Sequence, residues 1–387
     1  MGKINFDNAS TSFPKAPKLG MAMSSFIEEG AYNVNRGNYG DAYAIEGSII
    51  DVRDKINKFF EGPGSKYVVF TPGVTYSINY FINGYLKPGD HVIISPLEHN
   101  AVMRPLYALK ESGVQYDTMG ILNDGSIDVD GVEDLIRPET KAIITLHASN
   151  VFGTLVPIGK LGEICNRRGI VFVIDSAQTG GVIPISMERD HIDFLAFAGH
   201  KGLLGPQGIG GAIISPELVD LIEPTIKGGT GSISDSMEIP EFMPDRFESG
   251  TLNLPGIIGI GHSIDYINSV GLEAIHKHEI ELAKMFIDYI VENIPEVEVI
   301  GDKTGLNRTS VVSINFKTID NAEAAHVLDD RYQIKTRVGL HCAPIAHKIM
   351  GTYPQGTVRF SFGLFNTEEE VAEGLKAIEE IVKSVKN

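Results

Sequence analysis

The sequence predicts an α/β fold, with a large domain built on a mostly parallel sheet flanked by helices and a smaller α+β domain towards the C-terminus. Three observations predict it. Short runs of four to six mostly apolar residues alternate with helical stretches between residues 67 and 214, the pattern of a sheet buried on both faces. After Gly256 the texture changes to long helical runs with a few short strands between them. At 387 residues the chain exceeds what one core supports, so a large and a small unit are expected.

Taken in order, Ile4-Asn5-Phe6 reads as a short strand entering the polar turn Asp7 to Thr11. The stretch from Asn33 to Asn38 is loop-like and carries one cation, Arg36. Between Ala44 and Phe60, the residues Ile45, Ile49, Val52, Ile56 and Phe59 recur at three- and four-residue steps. That is an amphipathic helix, stopped by Gly62-Pro63-Gly64. A strand Tyr67–Phe70, a turn Thr71–Thr75 and a helix Tyr76–Leu86 follow, and Lys87-Pro88-Gly89-Asp90 breaks the chain before a strand at His91–Ser95. A helix over Asn100–Ser112 and a strand over Val114–Asp117 come next. Further strands are expected at Ala142–Leu146, Ile170–Asp175, Phe194–Ala198 and Gly210–Ile214, with a helix at Ile158–Arg168.

In the second part, helices are expected at Ile257–Val270, Ala274–Ile294, Ala322–Leu328 and Thr367–Val385. Strands are expected at Val297–Ile300, Ser310–Phe316 and Thr357–Phe362. Thr367 with Glu370 has the form of a capping box. We divide the chain into a large domain of residues 16–256 and a small domain of residues 1–15 with 257–387.

Composition narrows the class without choosing a function. The chain is 43% apolar and 21% charged, which is ordinary globular usage and argues against disorder. A net charge of −17 argues against non-specific nucleic-acid binding and attachment to an anionic membrane. No apolar run approaches a membrane span and the N-terminal residues hold no signal-peptide core, so a cytoplasmic protein is expected. The two cysteines, Cys165 and Cys342, form no disulfide framework.

In a parallel sheet, ligands sit beyond the carboxyl ends of the strands. That rule gathers Thr71–Thr75, Leu97–His99, His147–Asn150, Asp175–Gln178 and Gly199–Lys201 around one crevice. In Phe194 to Gln207, an apolar run ends in Ala198-Gly199 and the pair His200-Lys201 follows at once. Glycines at 199, 202 and 205 are read as keeping the backbone there permissive. A lysine at the end of a buried strand is placed for its amine, because burial lowers its pKa and frees the lone pair for carbonyl chemistry. The competing reading is a surface loop lysine.

Asp175 closes four apolar residues, where a carboxylate is either a cap or core ion pair or the counter-ion of a cationic ring nitrogen. His99 is either a cap or an imidazole that stacks on a flat ring. Thr71-Pro72-Gly73-Val74-Thr75 precedes a helix, and free N–H groups at a helix start suit phosphate, although no Walker Gly-Lys follows. The glycine-rich stretch Gly228 to Ser232 reads as a flexible loop at the rim.

In Arg337-Val338-Gly339-Leu340-His341-Cys342-Ala343-Pro344, an imidazole neighbours a thiol and can raise its thiolate fraction. A buried structural thiol is the alternative. Zinc binding by His341, Cys342 and His347 lacks a fourth ligand at a recognised spacing. Cys165, on an apolar helix face, is read as a packing residue. Arg359, within Thr357-Val358-Arg359-Phe360, points either to solvent or into the crevice, where its planar fork suits a carboxylate.

The order of these stretches resembles the cysteine desulfurase and selenocysteine lyase branch of the class V aminotransferases, which are fold-type I pyridoxal-phosphate enzymes. The resemblance runs almost end to end. Its carriers include DNAS from Asp7, NVNRG at 33–37, LEHNA at 97–101, HASNVFGT at 147–154 and VIDSAQ at 173–178. They continue through AGHKGLLGPQG at 198–208, FESGTLN at 247–253, RVGLHCA at 337–343 and VRFSFGLFNT at 358–367.

The resemblance implies pyridoxal 5'-phosphate held by Lys201, with Asp175 on the ring nitrogen, Gln178 on the phenolic oxygen and His99 stacked on the ring. Thr75, with Val74 beside it, and His200 would hold the phosphate, and Thr251 would reach in from the second subunit of a homodimer. Asn150, which also meets the cofactor, Arg36 and Arg359 would orient the amino-acid substrate, and Cys342 would take the sulfur. The implied reaction converts L-cysteine to L-alanine with a persulfide on Cys342. Selenocysteine as substrate, and aminotransferase, racemase-type or C–S lyase chemistry, are the neighbouring readings, and a non-catalytic phosphate-binding module is the remote one. The sulfur acceptor stays open among a scaffold protein, a carrier protein and tRNA-modifying machinery, with iron–sulfur cluster assembly one such use. Ala198 stands where the family often has Ser or Thr, which removes one hydroxyl from the phosphate.

Overall fold

The computed structural model describes residues 3–30, 32, 34, 39–122, 125–233, 235–305 and 307–385. Arg36 lies outside them. Seven strands form the central sheet: β1 (Val68–Thr71), β2 (His91–Ile94), β3 (Gln115–Thr118), β4 (Thr140–Leu146), β5 (Val171–Asp175), β6 (Phe194–Ala198) and β7 (Gly210–Ile214). Their spatial order is β1-β7-β6-β5-β4-β2-β3. β7 runs antiparallel to both of its neighbours, and every other pairing is parallel. The α/β class and the mostly parallel sheet are as the alternation of apolar runs indicates.

Both faces of this sheet are covered. One core takes Ile93, Ile143, Phe172, Leu195, Phe197 and Ile213. The other takes Ile94, Ile144, Val173, Phe194, Ala196 and Ile214 from alternate positions. This is why β6 reads as an unbroken apolar run instead of an alternating one. Each large side chain buried in β6 contributes roughly 1.5–3 kcal/mol by removal from water.

The flanking helices are α1 (Leu19–Glu28), α2 (Gly40–Phe59), α3 (Val74–Tyr85), α4 (Asn100–Lys110) and α5 (Ile158–Arg168). Sequence reading did not identify α1, and it started α2 four residues late. It also placed Val74 and Thr75 in a turn, whereas both belong to the first turn of α3. Gly73 caps that helix with φ 154, a backbone setting that side-chain-bearing residues rarely take. α5 ends as its sequence dictates, with Arg167 and Arg168 in the last turn and Gly169 at φ 65.

The remaining chain continues with α6 (Leu254–Val270) and α7 (Leu272–Asn293). A second sheet follows, with strands β8 (Val297–Ile300), β9 (Val311–Phe316), β10 (Arg337–Gly339) and β11 (Thr357–Ser361) in the order β8-β9-β11-β10, all antiparallel. Helices α8 (Asn321–Tyr332) and α9 (Glu368–Val385) complete it. Its core draws on Phe286, Ile290, Ile314, Leu328, Phe360 and Ile378, and also takes Ile4 and Phe6 from the N-terminus. The α6 residues Ile257, Ile260, Ile264 and Ile267 instead join the core of the large sheet.

α6 starts at Leu254, earlier than expected, because Asn253 caps it and Pro255 sits at its start. Residues 337–339, to which the sequence pattern assigns no strand, form β10. The capping box at α9 is present, with the Glu370 N–H donating to Thr367 Oγ1 at 3.2 Å and the Thr367 N–H to Glu370 at 3.3 Å. No helix among the described residues is long and apolar enough to cross a membrane.

Candidate active site

A cavity of 340 Å³ opens at the carboxyl ends of the parallel strands, lined by Thr75, His99, Asn150, Asp175, Gln178 and Lys201 among others. Val74, Ala198 and His200 also line it. Seven predicted cofactor contacts from five separate strand ends therefore meet around Lys201. This follows from the parallel topology, which points those ends the same way.

Lys201 follows β6 in a tight loop. The glycines around it are not there for unusual dihedrals: none of Gly199, Gly202 and Gly205 has a positive φ. They permit close approach. A Cβ on Gly199 would stand 2.7 Å from the Ile209 carbonyl oxygen, and one on Gly202 2.6 Å from that of Gly180. The loop is also fastened from outside, because the His200 carbonyl accepts from Lys15 Nζ at 2.7 Å and from the Ser12 N–H at 3.0 Å.

The Lys201 amine makes no hydrogen bond or ion pair among the described residues, and burial pushes its pKa down to about 8, against a raising effect from Asp175. Its neutral fraction should therefore grow about tenfold per pH unit below that point and level off above it. Reaction of the cofactor-free chain with an aldehyde, trapped by borohydride and mapped by peptide mass, is expected to follow that curve at Lys201. A midpoint above about 10 would mean an ordinary exposed amine.

The other groups share this desolvation. Asp175 is 6% exposed at the end of β5, with the Ala177 N–H donating to Oδ1 at 2.8 Å. Burial raises its pKa, against the lowering effects of the Ala177 N–H and Lys201, and it makes no ion pair among the described residues. His99 caps α4, its Nδ1 accepting from the Ala101 N–H at 3.0 Å, and it also lines the cavity. The cap and the cavity role are therefore one arrangement. Burial first and Lys201 second hold its pKa down to about 4, so the ring is neutral. His200 is likewise held down to about 4 by burial, with a buried Nδ1 that has no partner. Asn150 donates to the His341 carbonyl at 2.7 Å, while its Oδ1 is buried and unpartnered. Gln178 donates to the Ala9 carbonyl at 3.1 Å.

Arg359 settles one alternative: it is 1% exposed and does not point to solvent. It donates to Asp7 Oδ1 at 2.7 Å, Ser10 Oγ at 2.8 Å and the Asn150 carbonyl at 2.8 Å. Thr251 is exposed and lies outside the cavity lining. Gly228–Ser232 does not reach the cavity either.

Cys342 is exposed, and its loop is tied to the crevice from the second sheet. The Asn100 N–H donates to the Cys342 carbonyl at 2.8 Å. The expected imidazole neighbour is not what meets the sulfur. His341 is buried, with Nε2 at 3.1 Å from both Oγ1 and the carbonyl of Thr357, and burial pushes its pKa far down. The group at the sulfur is Arg337, whose Nη2 stands 3.6 Å from Sγ. Nothing local in the sequence marks Arg337 for this place; the register of β10 brings it there. His347 points to Thr352, at 2.7 Å from Nδ1, and no group of metal-binding side chains occurs among the described residues.

The chain is similar to known proteins over nearly its whole length. A family model for class-V aminotransferases matches residues 4–373. A probable cysteine desulfurase of Methanothermobacter thermautotrophicus is 32% identical over 98% of this chain and 94% of its own length. One of Halalkalibacterium halodurans is 31% identical, over 97% and 93%. Among solved structures, the apo cysteine desulfurase of Thermococcus onnurineus superposes with a TM-score of 0.92 at 32% identity, covering 99% of this chain and 95% of that one. The cysteine desulfurase CsdA of Escherichia coli, solved as an S-sulfonic acid, gives 0.88 at 26% identity, covering 98% and 95%. The chain belongs to the class-V aminotransferase family.

Proposed function

We propose that the protein is a pyridoxal-phosphate-dependent cysteine desulfurase that converts L-cysteine to L-alanine and retains the sulfur as a persulfide on Cys342. The observation that carries this reading is one crevice holding an unpaired, desolvated lysine and a buried carboxylate, with an exposed cysteine tied to its edge.

The residues fit the cofactor. Lys201 would bind its aldehyde, Asp175 would gain the cationic ring nitrogen that its burial leaves it without, and neutral His99 would lie against the ring. Gln178 would meet the phenolic oxygen, and Asn150 and His200 have unpartnered buried atoms to offer. Val74 and Thr75 open α3 with free N–H groups for the phosphate. Ala198 gives no hydroxyl there. Thr251 would complete the phosphate site of a second subunit in a homodimer.

When bound, the cofactor withdraws electrons from the substrate and so weakens its Cβ–S bond. The chain does the rest. Arg359, with Asn150 and Arg36, orients the substrate carboxylate, and Lys201 moves the proton at the substrate's α-carbon. Cys342 attacks the substrate sulfur. An S–S bond forms as the C–S bond breaks, the electron pair stays on Cβ, and that carbon takes a proton to become the methyl of alanine.

Residues 16–256 would then be the cofactor domain, and residues 1–15 with 257–387 the domain presenting Cys342; Ile4 and Phe6 in the second core support the N-terminal part of this division, while α6 packs with the large sheet. The enzyme would act in the cytoplasm and pass its sulfur to an acceptor protein. Product analysis tests the reading. The pyridoxal-phosphate-loaded chain is expected to turn L-cysteine into equal amounts of alanine and persulfide or sulfide; pyruvate with ammonia would replace it with a C–S lyase.

A further inference from the structure

We propose that Arg337 is a further catalytic residue: its guanidinium holds the Cys342 sulfur and balances the negative charge on sulfur during transfer. This rests on the desulfurase reading above.

Strand register places Arg337 on β10 directly opposite Arg359 on β11. Like charges at paired positions are destabilising, yet the two arginines differ in their partners. Arg359 is buried and already has a carboxylate partner in Asp7. Arg337 is half-buried and makes no ion pair among the described residues. Its Nη1 donates to Ser10 Oγ at 3.2 Å, and its Nη2 faces Cys342 Sγ at 3.6 Å. The Arg337 fork thus has no carboxylate of its own among the described residues, and the group against it is the sulfur.

The loop's backbone strengthens the assignment. His341 and Cys342 both have positive φ, 48 and 59, an uncommon setting for residues with a Cβ. Both carbonyls are held, that of His341 by Asn150 and that of Cys342 by the Asn100 N–H. With the backbone pinned, rotation about the Cys342 side chain is the remaining freedom, and Arg337 is the group that meets Sγ. His341 offers no alternative, because its ring faces Thr357.

In the transfer step the Cys342 thiolate bonds to the substrate sulfur while the Cβ–S bond breaks with its electron pair on carbon. Each sulfur is oxidised by one as the carbon is reduced by two, so no external oxidant is needed. The terminal sulfur gives up its proton, which matches the one that Cβ takes up, and becomes anionic. Arg337 therefore faces an anionic sulfur both before and after transfer, and a guanidinium, always charged, serves both states.

Alkylation reads this contact without the cofactor. Cys165 is 1% exposed, so the full-length chain reports on Cys342. A guanidinium at the sulfur favours anionic iodoacetate over neutral iodoacetamide. Arg337→Gln is expected to lower that rate ratio roughly three- to tenfold, and Arg337→Lys to restore part of it. In the loaded enzyme, Arg337→Gln should reduce kcat while KM for L-cysteine stays within about twofold. An unchanged ratio overturns the proposal, and so does a raised KM at constant kcat, which assigns Arg337 to the substrate carboxylate. A wild-type chain that forms no alanine overturns the desulfurase reading and the transfer role with it, and the alkylation ratio still decides whether Arg337 touches the sulfur.

Discussion

Replacing Cys342 by alanine is expected to cut alanine and persulfide formation from L-cysteine by about 10³-fold or more, the order lost when a positioned attacking group is removed. The visible spectrum of bound pyridoxal phosphate should not change, because Cys342 is not among the residues lining the cofactor cavity. Nothing else can take over. The second cysteine, Cys165, sits inside the buried face of α5, where burial raises its thiol far above the ordinary range. The fold should tolerate the change within about 0.5 kcal/mol, since the side chain is exposed. Persulfide trapping and alanine assay check the result. Full retention with L-cysteine would sink the sulfur-transfer mechanism. Retention with selenocysteine alone would favour a selenocysteine lyase, because selenium can leave without an attacking thiolate.

What sequence could and could not reveal divides along a physical line. Strands such as Phe194–Ala198 and Gly210–Ile214 were legible to the residue because a strand buried on both faces needs a continuous apolar run between turn residues. Lys201, Asp175 and His99 were legible together because parallel topology brings strand ends to one edge. α1 was missed although Leu19, Ala22, Met23 and Phe26 follow helical spacing and form its covered face; only Leu19 is deeply buried, so the apolar stripe is short. The orientation of Arg359 was open because its partner, Asp7, lies 352 residues away. The neighbour of the Cys342 sulfur was misread for a related reason. His341 is adjacent in sequence, but both residues sit in left-handed conformations that turn the imidazole into the core, and strand register delivers Arg337 instead. The glycines of the lysine loop were seen, yet their role is close approach of backbones, which no local pattern encodes.

Lys201→Ala is expected to abolish covalent capture of pyridoxal phosphate and to lower desulfurase activity by about 10³-fold or more, because both the anchor and the proton carrier are lost. Lys201 is the one lysine lining the cavity, so no other amine stands ready there. Lys201→Arg separates charge from nucleophilicity. A guanidinium keeps the cation but never offers a lone pair at accessible pH, so it should fail as completely as alanine; substantial activity in it would reduce Lys201 to an electrostatic role.

The same substitution carries an opposite expectation for stability. The folded amine titrates near 8, below the 10.5 of an unfolded lysine. The folded state therefore binds its proton more weakly, and the resulting destabilisation is fully present below pH 8 and fades as the pH rises towards 10.5. Without cofactor at pH 7, Lys201→Ala should melt no lower than wild type, and its advantage should shrink as the pH is raised. A lower melting temperature at neutral pH would mean that the lysine is held by contacts rather than strained by burial. An amine whose charged form burial disfavours is poised to react with the aldehyde that relieves it.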